Sequence, residues 1–299
     1  MSRILNTEII IPVIEKLVKK ACYELDDNLM CSFRKAYDKE ESKIGKETIK
    51  ILIDNGEYAK KEQLACCHDT GTCIVIMEIG QHVCWEGKPL KDQVNQGVRQ
   101  GYENGYLRKS MVADPLERIN TNDNTPAILH TEIVDGDRVT ITVMPKGGGS
   151  ENMGTFKTLL PGDGIDGIDG IDGIDGIDGI DGIDGIKDFV LETVRRVGGN
   201  PCPPYIIGIG VGGTMDHCSW MAKKALLRPL GEFNAKPLYA QLEAELLEAV
   251  NNTGIGPLGM GGRITALGVH VDYYPCHITA LPVAINFQCN ASRHASEII

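Results

Sequence analysis

Ten cysteines stand in this chain of 299 residues, and three of them crowd with a histidine and an aspartate into "LACCHDTGTC" at residues 64–73. A thiol serves as metal ligand or nucleophile only as its thiolate, so backbone setting decides which cysteines matter. No C-x-x-C occurs, which weakens the electron-carrier and structural-zinc readings together, since both normally take ligands at that spacing. Three cysteines stand at the ends of elements, where sites can be built. Cys67 precedes His-Asp-Thr-Gly, Cys202 lies between prolines in "NPCPP", and Cys289 closes an apolar run before "NASRH". Cys22 and Cys31 fall on helical patterns and read as packing residues, and Cys73 falls within a strand pattern. From the residues alone, disulfide, metal, nucleophile and packing all stay open. Convergence of three cysteines on one centre is the minority arrangement.

The elements that must position these residues read as a mixed α/β fold, a helical N-terminal part followed by a sheet with covering helices. The first 65 residues read as helical, with Ile10, Ile14, Leu17 and Val18 on one face. "TCIVIMEIG" is a β-rich run, so "CCHDTG" sits on the loop that leads into a buried strand. "LKDQVNQGVRQGYENGYLRKSMV" returns to helix and delivers Arg108 near its end. Two β runs flank Asp135-Gly136-Asp137, a hairpin signal, and the second ends in a Gly-rich loop with Lys146. "KDFVLETVRRVGGNPCPP" is a helix stopped by Gly, followed by a stiff proline turn. The chain closes with two strand-like runs, "RITALGVHVDYY" and "LPVAINFQC".

Two glycine-rich pieces invite functional readings. "GIGVGG" follows a strand and precedes a helix, as a dinucleotide fingerprint does, but no acidic residue ends a strand about 20 residues on. Close packing of strand on helix is the better reading. "KGGGSEN" either aims backbone N–H groups at a carboxylate or is a plain turn.

Net charge is −11, yet the run from Gly162 to Ile186 holds eight aspartates, so the rest of the chain carries only −3. That balance argues against binding to a phosphate backbone, and 5% aromatics gives little to stack on bases. Seven of these aspartates belong to seven copies of Gly-Ile-Asp at 164–184. Without proline a triple helix is not expected, and a surface-loop expansion is favoured over a calcium or partner site. No secretory signal and no apolar stretch of about 18 residues is visible, which reads as a cytoplasmic chain without a membrane span.

Taken in order, "CHDTGT", "GYLRKSMV", "NDNTPAILH", "PKGGGSEN", "GGNPCPPYIIGIGVGGT", "AKKALLRP", "GIGPLGMGGRITALGVHV" and "CHITALPVAINFQCNASRH" resemble the α subunit of the iron–sulfur hydro-lyases. These are class I fumarate hydratase and its relative L-tartrate dehydratase. The resemblance runs from about residue 5 to 295, broken only by the repeat. It implies one catalytic domain over 1–299, interrupted by the loop at 164–184.

The resemblance also implies a [4Fe–4S] cluster on Cys67, Cys202 and Cys289, with one iron open as a Lewis acid. It implies substrate contacts at His68, Asp69, Arg108, Gly149 and His277, with Asp69 and His277 as catalytic groups. The reaction implied is hydration of fumarate to L-malate, the step found in the tricarboxylic acid cycle. Dehydration of tartrate to oxaloacetate, a non-catalytic cluster-bearing sensor and an inactive relative are the alternatives. Two departures from the family pattern stand out: His68 replaces the usual Gln, and Cys218 and Trp220 replace smaller apolar residues. Because relatives place the group that removes the C3 proton in a further domain or a β subunit, a β-subunit partner and an α2β2-like oligomer are expected.

Overall fold

Ile10, Ile14, Leu17 and Val18, spaced for one helical face, are all buried, as an amphipathic helix against a core requires. The structure is a computed structural model that describes residues 2–159 and 182–299. It has the mixed α/β character expected from the sequence. By contacts the chain divides into two units. The first comprises Met1–Met30, Ile53–Gly148 and Ala291–Ile299; the second comprises Cys31–Leu52 and Gly149–Asn290. Two of the boundaries fall within α2 (Asp27–Lys39) and α3 (Lys43–Glu62).

The first unit opens on a strand rather than a helix. β1 (Arg3–Asn6) pairs in parallel with β3 (Val83–Glu86) before α1 (Ile10–Tyr23) begins. Its main sheet has the order β10-β5-β2-β4, from β2 (Thr72–Gly80), β4 (Ile128–Val134), β5 (Val139–Lys146) and β10 (Ala295–Ile298). Val75, Met77, Val139, Ile141 and Val143 share one core with α1 and α4 (Leu90–Asn104).

The hairpin expected around Gly136 does not form. β2 lies between the two runs, parallel to β4 (Ile74 opposite Ile128) and antiparallel to β5 (Val75 opposite Val143). The open turn receives the end of β2: Gly80 N–H donates to Arg138 C=O at 2.8 Å and His82 N–H to Gly136 C=O at 3.0 Å. An Asp-Gly pair fixes the reversal of the chain. A continuous apolar run such as β2, buried on both faces, takes the central place and a neighbour on each side.

Helix α4 also ends earlier than its apolar pattern suggests. Gly105 is its C-cap, with its N–H on Gly101 C=O, and Tyr106 then adopts φ 49°. Arg108 therefore stands on a loop.

The second unit is a sheet in the order β6-β9-β7-β8. Its strands are β6 (Thr155–Leu159), β7 (Tyr205–Gly212), β8 (Ala266–Tyr274) and β9 (Leu281–Gln288). Along β7, Tyr205, Ile207, Ile209 and Val211 face the core shared with α6 (Ile183–Val197) and α8 (Pro237–Asn251). The alternate positions Gly208 and Gly210 face α7 (Met215–Ala225). A Cβ on Gly208 would lie 2.0 Å from Ala222 C=O, and one on Gly210 would lie 2.1 Å from Cys218 C=O. The glycines of "GIGVGG" thus admit a helix backbone onto the strand, as the packing reading expects.

Helix α6 starts four residues before Lys187, so the last Gly-Ile-Asp triplet forms its N-cap and first turn: Gly182 is the N-cap, and Ile183 packs on the core. The rest of the expected repeat loop at 164–184 lies outside the described residues. Among the described residues, no helix is long and apolar enough to cross a membrane.

Candidate functional site

In the first unit, Cys67, His68 and Asp69 share the loop between α3 and β2. Cys66 N–H donates to Cys22 C=O at 2.9 Å, and Asn55 Nδ2 donates to Cys66 C=O at 2.9 Å. These bonds fix the residue before Cys67, which turns Cys66 inward and leaves Cys67 half-exposed. Downstream, Gly71 adopts φ +71°, and a Cβ there would lie 2.3 Å from Lys146 C=O. Only glycine fits that turn.

The loop carrying Arg108 is latched to the same place. Thr70 Oγ1 donates to Arg108 C=O. The fully buried Asn124 donates from Nδ2 to Gly71 C=O at 3.1 Å and accepts from Ser110 N–H at 2.7 Å. Tyr102, also buried, donates its hydroxyl to Thr70 C=O at 2.7 Å. The backbone of the exposed Arg108 is thereby tied to Thr70, which follows the exposed His68 and the half-exposed Asp69. Thr70, Tyr102 and Asn124 went unrecognised in the sequence as parts of this frame. Two of them lie inside quoted motifs, "CHDTGT" and "NDNTPAILH", and those motifs were their only signal.

In the second unit, Cys202 and Cys289 lie on neighbouring loops. Cys202 is exposed, at φ 57°, a left-handed conformation costly for any residue with a Cβ. Asn290 clamps it. Its backbone N–H and its side-chain Nδ2 both donate to Cys202 C=O, at 3.1 and 2.8 Å. Ile206 pairs with Gln288 across β7 and β9, which sets the two cysteines at the same end of the sheet. Gly149 lies on the one-turn helix α5 (Gly148–Glu151), exposed, with its Cβ position 3.6 Å from Asn200 C=O.

His277 is not gathered with that pair. It sits on the exposed loop before β9, with Nδ1 2.9 Å from Thr279 Oγ1, whereas Cys289 follows β9. The eight-residue strand between them spans roughly 25 Å.

Burial sorts the remaining thiols. Burial pushes the Cys22 thiol up to about 11, against the opposing pull of Arg293. It also raises Cys73 strongly, and lifts Cys218 to about 12. These three stay protonated and pack. Cys67, Cys202 and Cys289 lie on loops at element ends with solvent access. Thiols on exposed loops are the donor type that an iron–sulfur centre takes; among the described residues, no three or more His, Cys, Asp or Glu side chains stand grouped for a metal.

Comparison with known proteins covers nearly the whole chain. The fumarate hydratase (Fumerase) family profile matches residues 11–297. A Methanocaldococcus jannaschii chain, provisionally named L(+)-tartrate dehydratase subunit alpha, is 40% identical over 290 residues, covering 95% of each chain. L(+)-tartrate dehydratase subunit alpha of Escherichia coli K12 is 28% identical over 279 residues, covering 92% of this chain and 86% of the relative.

Proposed function

Because the chain belongs to the fumarate hydratase family of iron–sulfur hydro-lyases, we propose that it is the α subunit of an enzyme that interconverts fumarate and L-malate. The observation that carries this reading is the latch between the two loops, in which Thr70, the residue after Asp69, holds the backbone of Arg108 and Asn124 bridges Gly71 and Ser110. An arginine fork grips a carboxylate through two parallel hydrogen bonds, which suits a dicarboxylate. Asp69, two residues from Cys67, serves as the group that passes a proton to or from the leaving oxygen. His68 adds a ring whose nitrogens can donate or accept a hydrogen bond, at a position where the resemblance implies Gln. Gly149 brings exposed backbone with no side chain in the way.

A [4Fe–4S] cluster on Cys67, Cys202 and Cys289 would leave one iron without a protein ligand and so supply Lewis acidity toward a hydroxyl and a carboxylate oxygen. In this reading the chain acts as one catalytic domain, and a β subunit brings the base that removes the C3 proton. His277 enters through the resemblance alone.

A second reading is favoured by the names of the relatives. At 40% identity over 95% of each chain, the Methanocaldococcus sequence supports L(+)-tartrate as the substrate. The two substrates differ by one hydroxyl, which a site that hydrogen-bonds it can discriminate strongly.

The deciding experiment is anaerobic co-expression with a β subunit of the family, followed by assays of L-malate and L(+)-tartrate dehydration. We expect turnover of malate by the complex and negligible turnover by the α chain alone. Turnover of tartrate with little of malate would transfer the assignment to the second reading. Turnover of neither by a complex that carries its cluster would overturn the hydro-lyase reading. Equal turnover by the lone chain would overturn the division of labour with β.

A further inference from the structure

Arg293 is the largest fully buried side chain among the described residues, 1% exposed. Its guanidinium stays charged under all ordinary conditions, and a buried charge is costly unless opposite charge or strong acceptors face it. The "NASRH" segment gives no hint of such burial. β10 explains it. Ala295 pairs with Val143 in antiparallel register, so the residues just before β10 run beside the end of β5 and toward Gly147.

At Gly147 two charged groups meet. A Cβ built on this glycine would lie 3.0 Å from Asp69 Oδ2 and 3.3 Å from Arg293 Nη2. The two atoms are therefore no more than about 6 Å apart, within the range where opposite charges act strongly on each other. The surrounding groups feel both. Burial raises the Tyr102 hydroxyl well above its ordinary value; among the nearby charges, Arg293 pulls it down and Asp69 pushes it up. Tyr102 in turn holds Thr70, the residue after Asp69.

We propose that Arg293 is a positioning residue that holds the Asp69 carboxylate in its working orientation, with Gly147 as the gap through which the two approach. This deepens the reading above and rests on it, since it gives Asp69 a supporting cation. Arg293 is too buried to touch substrate, so its action passes through Asp69.

The test uses the full chain, alone and with its β partner. A thermal cycle comes first because it needs no activity. Arg293→Met should lower the melting midpoint by several degrees, and by less than half as much when Asp69→Asn is already present. Equal losses in both backgrounds would overturn the proposal. Should Arg293→Met fail to fold, Arg293→Gln against Asp69→Asn closes the same cycle.

In the complex, Arg293→Met should cut kcat by about 10²-fold, with KM changed less than threefold and most of the rate restored by Arg293→Lys. Gly147→Ala, which keeps both charges but crowds them, should also lower kcat. Unchanged kcat in Arg293→Met, or a loss confined to KM, would sink the positioning role. If the unaltered complex turns over neither dicarboxylate, the functional reading fails, while the thermal cycle still judges the Asp69–Arg293 coupling.

Discussion

Asn290 donates two hydrogen bonds, one from its backbone and one from its side chain, to the single carbonyl of Cys202. The residue that follows Cys289 thereby fixes the backbone of the other cysteine of the same unit, which sits in a strained left-handed conformation. Removing the side-chain bond should free that loop without unfolding the protein, since one hydrogen bond is worth about 1 kcal/mol. Asn290→Ala is expected to keep its thermal midpoint within a few degrees and to retain less of the broad absorbance near about 400 nm typical of iron–sulfur centres after anaerobic reconstitution. Full retention would mean that the clamp has no bearing on a cluster.

The ligand assignment itself is separable by cysteine. Cys67→Ser, Cys202→Ser and Cys289→Ser should each abolish that absorbance. Cys66→Ser should not, because Cys66 turns inward and is fixed by its backbone bonds to Cys22 and Asn55. Cys73→Ser should not either, because burial keeps its thiol protonated. The spectra of the five variants, recorded after anaerobic purification, check this. Loss in Cys66→Ser with retention in Cys67→Ser would reverse the assignment within the vicinal pair.

How far the fold could be read follows from the range of the forces involved. Helical faces were legible because Ile10, Ile14, Leu17 and Val18 recur at the helical period, and β2, β7, β8 and β9 were legible as apolar runs. The four-residue strands β1, β3 and β10 were not. Each is defined by pairing with a distant segment, as Ala295 is with Val143, and four residues carry too little pattern of their own. The Asp135-Gly136 turn was legible, but its neighbour was not, because insertion of β2 depends on the whole sheet. Within the site, the cysteine-bearing loops were visible by motif. The burial of Arg293 and the bracing by Asn124 were not, because both arise from contacts between segments far apart in sequence.

The glycines of β7 give a ranked stability test. Gly210→Ala would drive a methyl to within 2.1 Å of Cys218 C=O, so α7 must shift off the strand. Overpacking of this kind costs about 3 kcal/mol or more. Gly136→Ala meets nothing within 4 Å and suffers only from its φ of +96°, a penalty of about 1 kcal/mol. Chemical denaturation should therefore show a far larger loss for Gly210→Ala. Equal losses would show that close packing is not what β7 requires of its glycines.

Glu40 supplies a pH-dependent element in the second unit. Its carboxylate accepts backbone N–H groups from Glu41, Ser42 and Arg263 at 2.9 Å each and from Ile264 at 2.7 Å. Burial alone would raise its pKa, but donation from Ile264, Ser42, Arg263 and Glu41 outweighs burial and holds it below the ordinary value. A carboxyl depressed in the folded state stabilises above its unfolded pKa, and that contribution fades as pH falls through the folded one. Denaturation midpoints measured from about pH 7 down to pH 3 should drop more steeply for the unaltered chain than for Glu40→Gln, which should already be weaker at neutral pH. Parallel profiles would mean that Glu40 does not carry this pH dependence.

The start of α6 turns the Gly-Ile-Asp array into a sharper question. Ile183 packs on the core and Asp184 stands in the first helical turn, so the last triplet is part of the helix. Deleting residues 167–184 leaves Gly164-Ile165-Asp166 directly before Gly185, which restores the same residues to the same helical positions. Deleting 164–184 removes the triplet outright. A half-buried isoleucine contributes about 1 kcal/mol, and an acidic residue in a first turn adds about 0.3–1 kcal/mol. The shorter deletion should keep the melting midpoint within about 2 °C and turnover within a few-fold. The complete deletion should lower the midpoint by about 3–6 °C. Equal behaviour of the two would show that the triplet adds nothing to α6. A large calcium-dependent stabilisation of the intact chain, absent in the shorter deletion, would show that the copies act as more than spacing and would overturn the surface-loop reading of the repeat.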